Sequence, residues 1–200
     1  ASDTISSYFF GVVPLFVLMG YLVSATGMGR NAFDVASQLF RKLRGGLGVG
    51  TVGANAIFAA ITGISIASAA VFTRIAVPEM MRHGYNRKFS VGVVAGSSVL
   101  GMLIPPSLLL ILYGLLTEQS VGDLFIAGII PGLLLAAVFA LGVLIMAWLW
   151  PGFVGHNITR PAEDVSTEIG DLSRKGLPIA SLIALVLGGI YGGFFTPIEA

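Results

Sequence analysis

Charged residues are so unevenly distributed that they leave five long stretches of the chain without any charge. Only 21 of the 200 residues are Lys, Arg, Asp or Glu, about 10%, whereas an average soluble domain has roughly 25%. The uncharged runs are 4–29, 45–73, 89–117, 124–159 and 176–198. Each exceeds the roughly 20 residues that a membrane-spanning helix needs. The sequence therefore predicts an all-α polytopic membrane protein in contact with lipid.

The charge balance and residue types exclude several kinds of function. A net charge of +1 gives no global attraction to nucleic acid. The absence of cysteine excludes disulfides, thiolate metal sites and cysteine nucleophiles. Both histidines, His83 and His156, lie in predicted polar loops, so a membrane serine such as Ser65 has no base within reach. We therefore predict that the chain is not an enzyme.

The run 45–73 is too long for one simple span, and basic segments flank it on both sides. A continuous helix over this run would be roughly 43 Å long, against a hydrocarbon core of ~30 Å. Segments 30–44 and 74–88 each carry four basic residues, so the positive-inside rule places both in the cytoplasm. A single span would put them on opposite sides. We therefore predict a re-entrant hairpin of two half-helices that meet near residues 62–65.

The run 89–117 contains two consecutive prolines at its centre. Pro105 cannot donate a hydrogen bond to the carbonyl of Gly101, nor Pro106 to that of Met102, so both carbonyls are predicted to be free. Beyond the break, a new helix begins with a positive dipole end and the hydroxyl of Ser107. Free carbonyls suit a small hard cation, and free N–H groups suit a carboxylate. Broken helices of this kind are typical of secondary transporters; a simple kink and a packing role for the Thr-Gly-Ile-Ser stretch are the alternatives.

The same charge pattern predicts the organisation of the whole chain, which we expect to be a piece of a longer protein. The predicted segments are a transmembrane helix over 1–29, an interfacial amphipathic helix over 30–44, the re-entrant hairpin with a cytoplasmic loop over 45–88, a broken transmembrane helix over 89–117, a transmembrane helix over 118–150, a cytoplasmic linker over 151–175, and the first transmembrane helix of a second half over 176–200. The interfacial helix is predicted to have one apolar face, formed by Phe33, Val35, Ala36, Leu39, Phe40 and Leu43; an ordinary charged loop helix is the alternative.

Six stretches, in order along the chain, resemble the large membrane subunit of tripartite ATP-independent periplasmic (TRAP) transporters, the DctM-like family. They are VPLFVLMG at 13–20, FAAITGISIA at 58–67, VPEM at 77–80, GMLIPPS at 101–107, LFIAGIIPG at 124–132 and GIYGGFFTPIEA at 189–200. The resemblance implies an inverted-repeat, elevator-type transporter of about twice this length. It implies import of an organic acid, such as a dicarboxylate, by sodium symport across the bacterial inner membrane. The implied partners are a small membrane subunit and a periplasmic substrate-binding protein.

The breaks and the resemblance together give the candidate site. The candidate ligands of the coupling ion, Na⁺, are Thr62, Gly63, Ile64, Ser65, Gly101, Ile104 and Pro105. The candidate substrate-binding residues are Ser65, Ala67, Ser68, Pro106 and Ser107. The family's hairpin tip usually reads Ser-Gly-Ser-Ser-x-Ala, so Thr62 keeps a hydroxyl whereas Ile64 offers only its carbonyl. Another family of sodium-coupled carboxylate transporters and a passive channel are the alternative functions.

Overall fold

The computed structural model describes residues 14–15, 18–155 and 169–192, and the regular structure in these ranges is helical. Residues 18–25 form a helical segment. The helices that follow are α1 (Met28–Phe40), α2 (Gly46–Thr62), α3 (Ser65–Arg82), α4 (Arg87–Ser98), a 3₁₀ helix (Val99–Met102), α5 (Leu108–Thr117), α6 (Val121–Leu149), the single turn α7 (Pro151–Val154) and α8 (Ile169–Tyr191). The predictions for residues 1–13, 16–17, 156–168 and 193–200 lie outside the described residues.

Among the residues that the structure describes, helix α6 matches a membrane span by length and composition. It has 29 residues, and only 11% of its most apolar 18-residue window is buried against the rest of the protein. A core helix of a soluble protein would be mostly buried, whereas this helix exposes apolar side chains along its length. They include Ile126, Ile130, Leu133, Leu134, Val138, Leu141, Ile145 and Trp148. Helical structure in the described residues, together with such a helix, agrees with the predicted membrane protein.

Helix α2 lies at the centre of the described fold and packs against α1, α3, α4 and α6. Most of its residues are buried. The backbone of α1 approaches it closely, since a Cβ atom added to Gly50 would lie 2.6 Å from the Cα atom of Ser37. Phe58 of α2 packs edge-to-face on Phe72 of α3, with ring centroids 5.6 Å apart. Protein therefore surrounds α2 up to its last turn, and its broken end needs no contact with lipid.

The apolar residues that were predicted to share one face of α1 are partly buried and partly exposed. Phe33 and Ala36 are buried, whereas Leu39 is 71% exposed. Leu43 is also exposed, and it lies beyond the end of the helix at Phe40. The six residues therefore do not share one environment.

Helix α8 begins at Ile169, within the segment predicted as a linker. Lys175 of α8 donates a hydrogen bond to Asp34 of α1, with 3.0 Å between Nζ and Oδ2. The helical part of the chain after residue 168 therefore packs back on α1, which precedes the hairpin.

Two interruptions separate the central helices. Between α2 and α3, Gly63 adopts the left-handed conformation with φ 61°, and Ile64 is extended. Between the 3₁₀ helix and α5, residues 103–107 are not helical, and the Pro105–Pro106 peptide bond is cis. Both interruptions occur where the sequence predicted them, since a left-handed cap favours glycine and proline cannot continue the helix.

Candidate functional site

The two interruptions lie against each other and form one site, which we call the junction (residues 62–65 and 101–108). The backbone N–H of Leu108, at the start of α5, donates to the carbonyl of Gly63 with an N–O distance of 3.2 Å. Gly101 packs directly on the backbone of the other interruption. A Cβ atom at this position would lie 2.9 Å from the nitrogen of Ser65 and 3.0 Å from the carbonyl carbon of Ile64. Glycine therefore allows the two interruptions to touch.

Helix α6 covers the junction on another side through two glycines. A Cβ atom at Gly128 would lie 2.8 Å from the carbonyl oxygen of Leu103, and one at Gly132 would lie 3.0 Å from Cγ1 of Ile104. The irregular backbone of residues 103–104 is thus packed against a helix. This is the condition under which irregular backbone is tolerated at membrane depth.

Two hydroxyl groups of the candidate site each donate to a carbonyl one helical turn earlier in the chain. Thr62 donates to Phe58 at 2.9 Å, and Ser68 donates to Ile64 at 3.3 Å. Because a hydroxyl oxygen also has two acceptor positions, the buried Thr62 oxygen can still contribute to the coordination of a cation. The proton of each hydroxyl, in contrast, is already used in a hydrogen bond.

Ser107 corrects one prediction about the break. Its hydroxyl donates to the carbonyl of Met102 at 2.8 Å, so the prediction that this carbonyl is free was wrong. The Gly101 carbonyl still lacks the donor that Pro105 cannot supply. The Gly63 carbonyl accepts from Leu108 and keeps one acceptor position, whereas the Ile64 carbonyl already accepts from both the N–H and the hydroxyl of Ser68 and can bind an ion only in exchange for one of these bonds. Together with these carbonyls and the Thr62 hydroxyl, the Gly101 carbonyl gives a set of neutral oxygen donors. Oxygen ligands of this kind fit a hard cation.

The junction also holds the starts of two helices. Ile64 precedes α3 and Ser107 precedes α5, and neither residue makes a side-chain capping hydrogen bond. The first-turn N–H groups of a helix carry the positive end of its dipole. The N–H of Leu108 already donates to Gly63, so the other first-turn N–H groups of the two helices are the ones that can bind an anionic group such as a carboxylate.

The predicted substrate-binding residues differ in accessibility. Ser65 and Ala67 are half-buried, and Ile66 between them is 79% exposed. Ser68 and Ser107 are fully buried, and Pro106 is buried as well. The accessible side of the α3 start is therefore at residues 65–67, while Ser68 and Ser107 contribute from behind it.

Sequence reasoning missed a buried polar pair close to the junction. Asn55 of α2 and Ser97 of α4 are both 1% exposed, and Nδ2 of Asn55 lies 2.8 Å from Oγ of Ser97. The sequence did contain a sign of this pair, because burying an asparagine side chain costs free energy unless it has a hydrogen-bond partner. The partner could not be identified, since 42 residues separate the two.

Comparison with known proteins identifies the family. The model of the tripartite ATP-independent periplasmic transporter DctM component matches residues 1–200. The chain belongs to this family. The resemblance inferred from the sequence is thereby confirmed, and the DctM family is one of transporter permeases rather than enzymes.

Relatives of this chain differ in the solutes for which they are named. The chain is 37% identical over 198 residues to the C4-dicarboxylate TRAP transporter large permease protein DctM of Pseudomonas aeruginosa, covering 99% of this chain and 45% of that protein. It is 31% identical over 188 residues to the sialic acid TRAP transporter large permease protein SiaM of Vibrio cholerae, covering 94% of this chain and 43% of that protein. It is equally similar to the ectoine TRAP transporter large permease protein TeaC of Halomonas elongata, at 31% over 188 residues, with the same coverages of 94% and 43%. The chain thus spans less than half the length of these relatives.

Proposed function

We propose that this chain is part of the large permease subunit of a secondary transporter that imports an organic acid by sodium symport. It works in the inner (cytoplasmic) membrane of a bacterium with a small membrane subunit, and a periplasmic binding protein delivers the substrate. The observation that carries the proposal is the hydrogen bond from Leu108 to Gly63, because it joins two interrupted helices into one site. Such pairs of helix ends offer carbonyls to a cation and N–H groups to an anion.

The proposed sodium site is made of uncharged oxygen atoms at the junction. The side chain of Thr62 and the backbone of residues 63–65 contribute from the hairpin tip. The backbone of Gly101, Ile104 and Pro105 contributes from the broken helix. No Asp or Glu occurs in the runs 45–73 and 89–117, so within these runs neutral carbonyl and hydroxyl oxygens solvate the ion without neutralising its charge.

The proposed substrate site lies beside the sodium site, at the starts of α3 and α5. The accessible positions Ser65 and Ala67 contact the carboxylate, and the buried Ser68, Pro106 and Ser107 shape the helix starts behind them. Relatives are named for C4-dicarboxylate, sialic acid and ectoine, so the solute of this chain must be found by experiment.

The position of the first charged residue on α3 supports the re-entrant arrangement of the hairpin. The uncharged first part of α3, residues 65–73, extends about 14 Å at 1.5 Å per residue, which is half of a ~30 Å hydrocarbon core. Arg74 follows it and is exposed. In our proposal the hairpin therefore enters and leaves on the cytoplasmic side, and the junction moves as a unit in an elevator-type cycle.

A transport assay tests the proposal on the intact permease reconstituted with its small subunit and binding protein. The ligand of the binding protein is identified first and is then used as the labelled substrate. Thr62→Ala removes the hydroxyl ligand and Gly101→Leu separates the two interruptions, while Thr62→Ser keeps the hydroxyl as a matched control. We expect both test variants to raise the sodium concentration needed for half-maximal uptake and the control to stay near the parental value.

Two results would contradict the proposal. Unchanged sodium dependence in both test variants would exclude this sodium site. Uptake that only equilibrates the substrate across the membrane, with or without the binding protein, would favour a passive channel.

A further inference from the structure

The amide of Asn55 connects the first arm of the hairpin to the broken helix. Its Nδ2 atom donates to Oγ of Ser97 on α4 at 2.8 Å and to the backbone carbonyl of Thr51 at 3.2 Å. All three residues are at most 1% exposed. The hydrogen bond to Ser97 is therefore a buried tie between α2 and α4.

The neighbours of the amide determine its orientation. The hydroxyl of Ser97 donates its proton to the carbonyl of Val93 at 2.6 Å, so its oxygen acts as an acceptor toward Asn55. The Thr51 carbonyl can only accept. Because both neighbours are acceptors, the NH₂ end of the amide must face them. Its other end, Oδ1, is buried without a hydrogen-bond donor in the part of the chain that the structure describes.

The unpaired oxygen indicates that Asn55 contributes little to the stability of the fold. A buried hydrogen bond gives a net stabilisation of the same order as the cost of leaving a buried acceptor unpaired. The two bonds made by Nδ2 and the unpaired Oδ1 therefore largely offset each other. An apolar residue would fill the same place without this cost. What an apolar residue cannot supply is a directional bond that fixes how far α2 is shifted along α4.

Both partners of the tie lie close to the junction. Thr62 follows Asn55 by seven residues on α2, or about two helical turns. Gly101 follows Ser97 by four residues, or about one turn. A shift of α2 along α4 would thus change the distance between the oxygen atoms that these two residues offer to a cation.

We propose that Asn55 is a positioning residue for the sodium site: its hydrogen bond to Ser97 sets the register of α2 against α4 and thereby the spacing of the ligands at the junction. This inference rests on the proposed function. It predicts that loss of the tie weakens sodium binding and leaves the fold nearly as stable as before.

The test uses the purified intact permease in detergent, with sodium chloride as the only ligand. Its unfolding temperature is followed against sodium chloride concentration, with choline chloride keeping the ionic strength constant. The variants are Asn55→Ala and Ser97→Ala, singly and together. Thr51→Val is the matched control, because the Thr51 hydroxyl bonds to Leu47 within α2 and to the sulfur of Met80 on α3, not to α4.

We expect the half-saturating sodium concentration to rise about threefold, and at most about twentyfold, in each single variant, as for the loss of one hydrogen bond between membrane helices. The double variant should show no further rise, since both substitutions remove the same bond. Unfolding temperatures in choline chloride should stay near the parental value for Asn55→Ala. The control should match the parental protein in both measurements.

Three results would overturn the inference. If the parental protein is stabilised no more by sodium than by choline, the proposed function fails and this inference fails with it. If sodium stabilises the parental protein but Asn55→Ala and Ser97→Ala bind it like Thr51→Val, this inference alone is wrong. The same holds if Asn55→Ala only lowers the unfolding temperature in choline chloride, because that result indicates a purely structural role.

Discussion

Alanine at Gly101 would place a methyl group where the two interruptions touch. The added carbon would lie 2.9 Å from the nitrogen of Ser65 and 3.0 Å from the carbonyl carbon of Ile64, whereas heavy atoms in good contact are about 3.5–4.0 Å apart. Both neighbours are backbone atoms, so neither can rotate away. Overpacking of this kind typically costs about 1–3 kcal/mol. The shift would also weaken the bond from Leu108 to Gly63, which is worth about 1 kcal/mol net.

Gly92 offers a matched control on the neighbouring helix α4. A Cβ atom there would meet nothing within 4 Å, so Gly92→Ala adds the same methyl group without a clash. Alanine in a helix interior is more stable than glycine by roughly 0.5–1 kcal/mol. We therefore expect Gly101→Ala to be less stable than Gly92→Ala by roughly 2–4 kcal/mol.

The assay is chemical unfolding of the intact permease in micelles, with the two variants and the parental protein measured side by side. Sodium titrations of the same samples should show weaker sodium binding for Gly101→Ala only. Equal stability of the two variants would refute the reasoning, since it would mean that the interruptions are not in contact at Gly101.

Three further predictions concern single contacts. Ser107→Ala leaves the carbonyl of Met102 without its donor and should lower the unfolding free energy by about 1–3 kcal/mol, measured by the same unfolding assay. Asp34→Asn and Lys175→Gln break an ion pair whose side chains are about one-third exposed; a double-mutant cycle should give a coupling of about 0.2–1 kcal/mol that falls with added salt. Burial raises the pKa of the Tyr85 phenol above its usual value. The stability that the neutral, buried phenol contributes should therefore be complete below about pH 10 and be lost as pH rises through the folded-state pKa. Absorbance of the phenolate, with unfolding of Tyr85→Phe measured in parallel, would detect this loss.

The positions of the two interruptions could be predicted because their causes are local. Gly63 can adopt a left-handed conformation that ends a helix, and Pro105 and Pro106 cannot donate the bonds that would continue one. Each of these effects depends on a few neighbouring residues, so the sequence alone contains the information. The apolar composition of α6 is equally local.

The contacts that assemble the junction could not be predicted in the same way. The bond between Leu108 and Gly63 and the tie between Asn55 and Ser97 join residues more than 40 positions apart. The prediction for Met102 was wrong for a related reason. Proline chemistry says which carbonyl loses its usual donor, but the replacement donor, Ser107, depends on how the chain turns after the break.

Under the proposed function, the uncharged character of the junction affects how strongly sodium binding and substrate binding are coupled. With no carboxylate in the runs 45–73 and 89–117, a bound sodium ion keeps most of its charge, and the carboxylate of the substrate is its natural counter-charge. At a separation of about 6 Å and an effective dielectric constant of about 20, the attraction is about 3 kcal/mol. This corresponds to roughly a hundredfold in affinity, and linkage requires the substrate to tighten sodium binding by the same factor. Sodium titrations of the intact permease with and without saturating substrate test this expectation. A half-saturating sodium concentration that does not depend on substrate would show that the two ligands are coupled only through conformational change, or not at all.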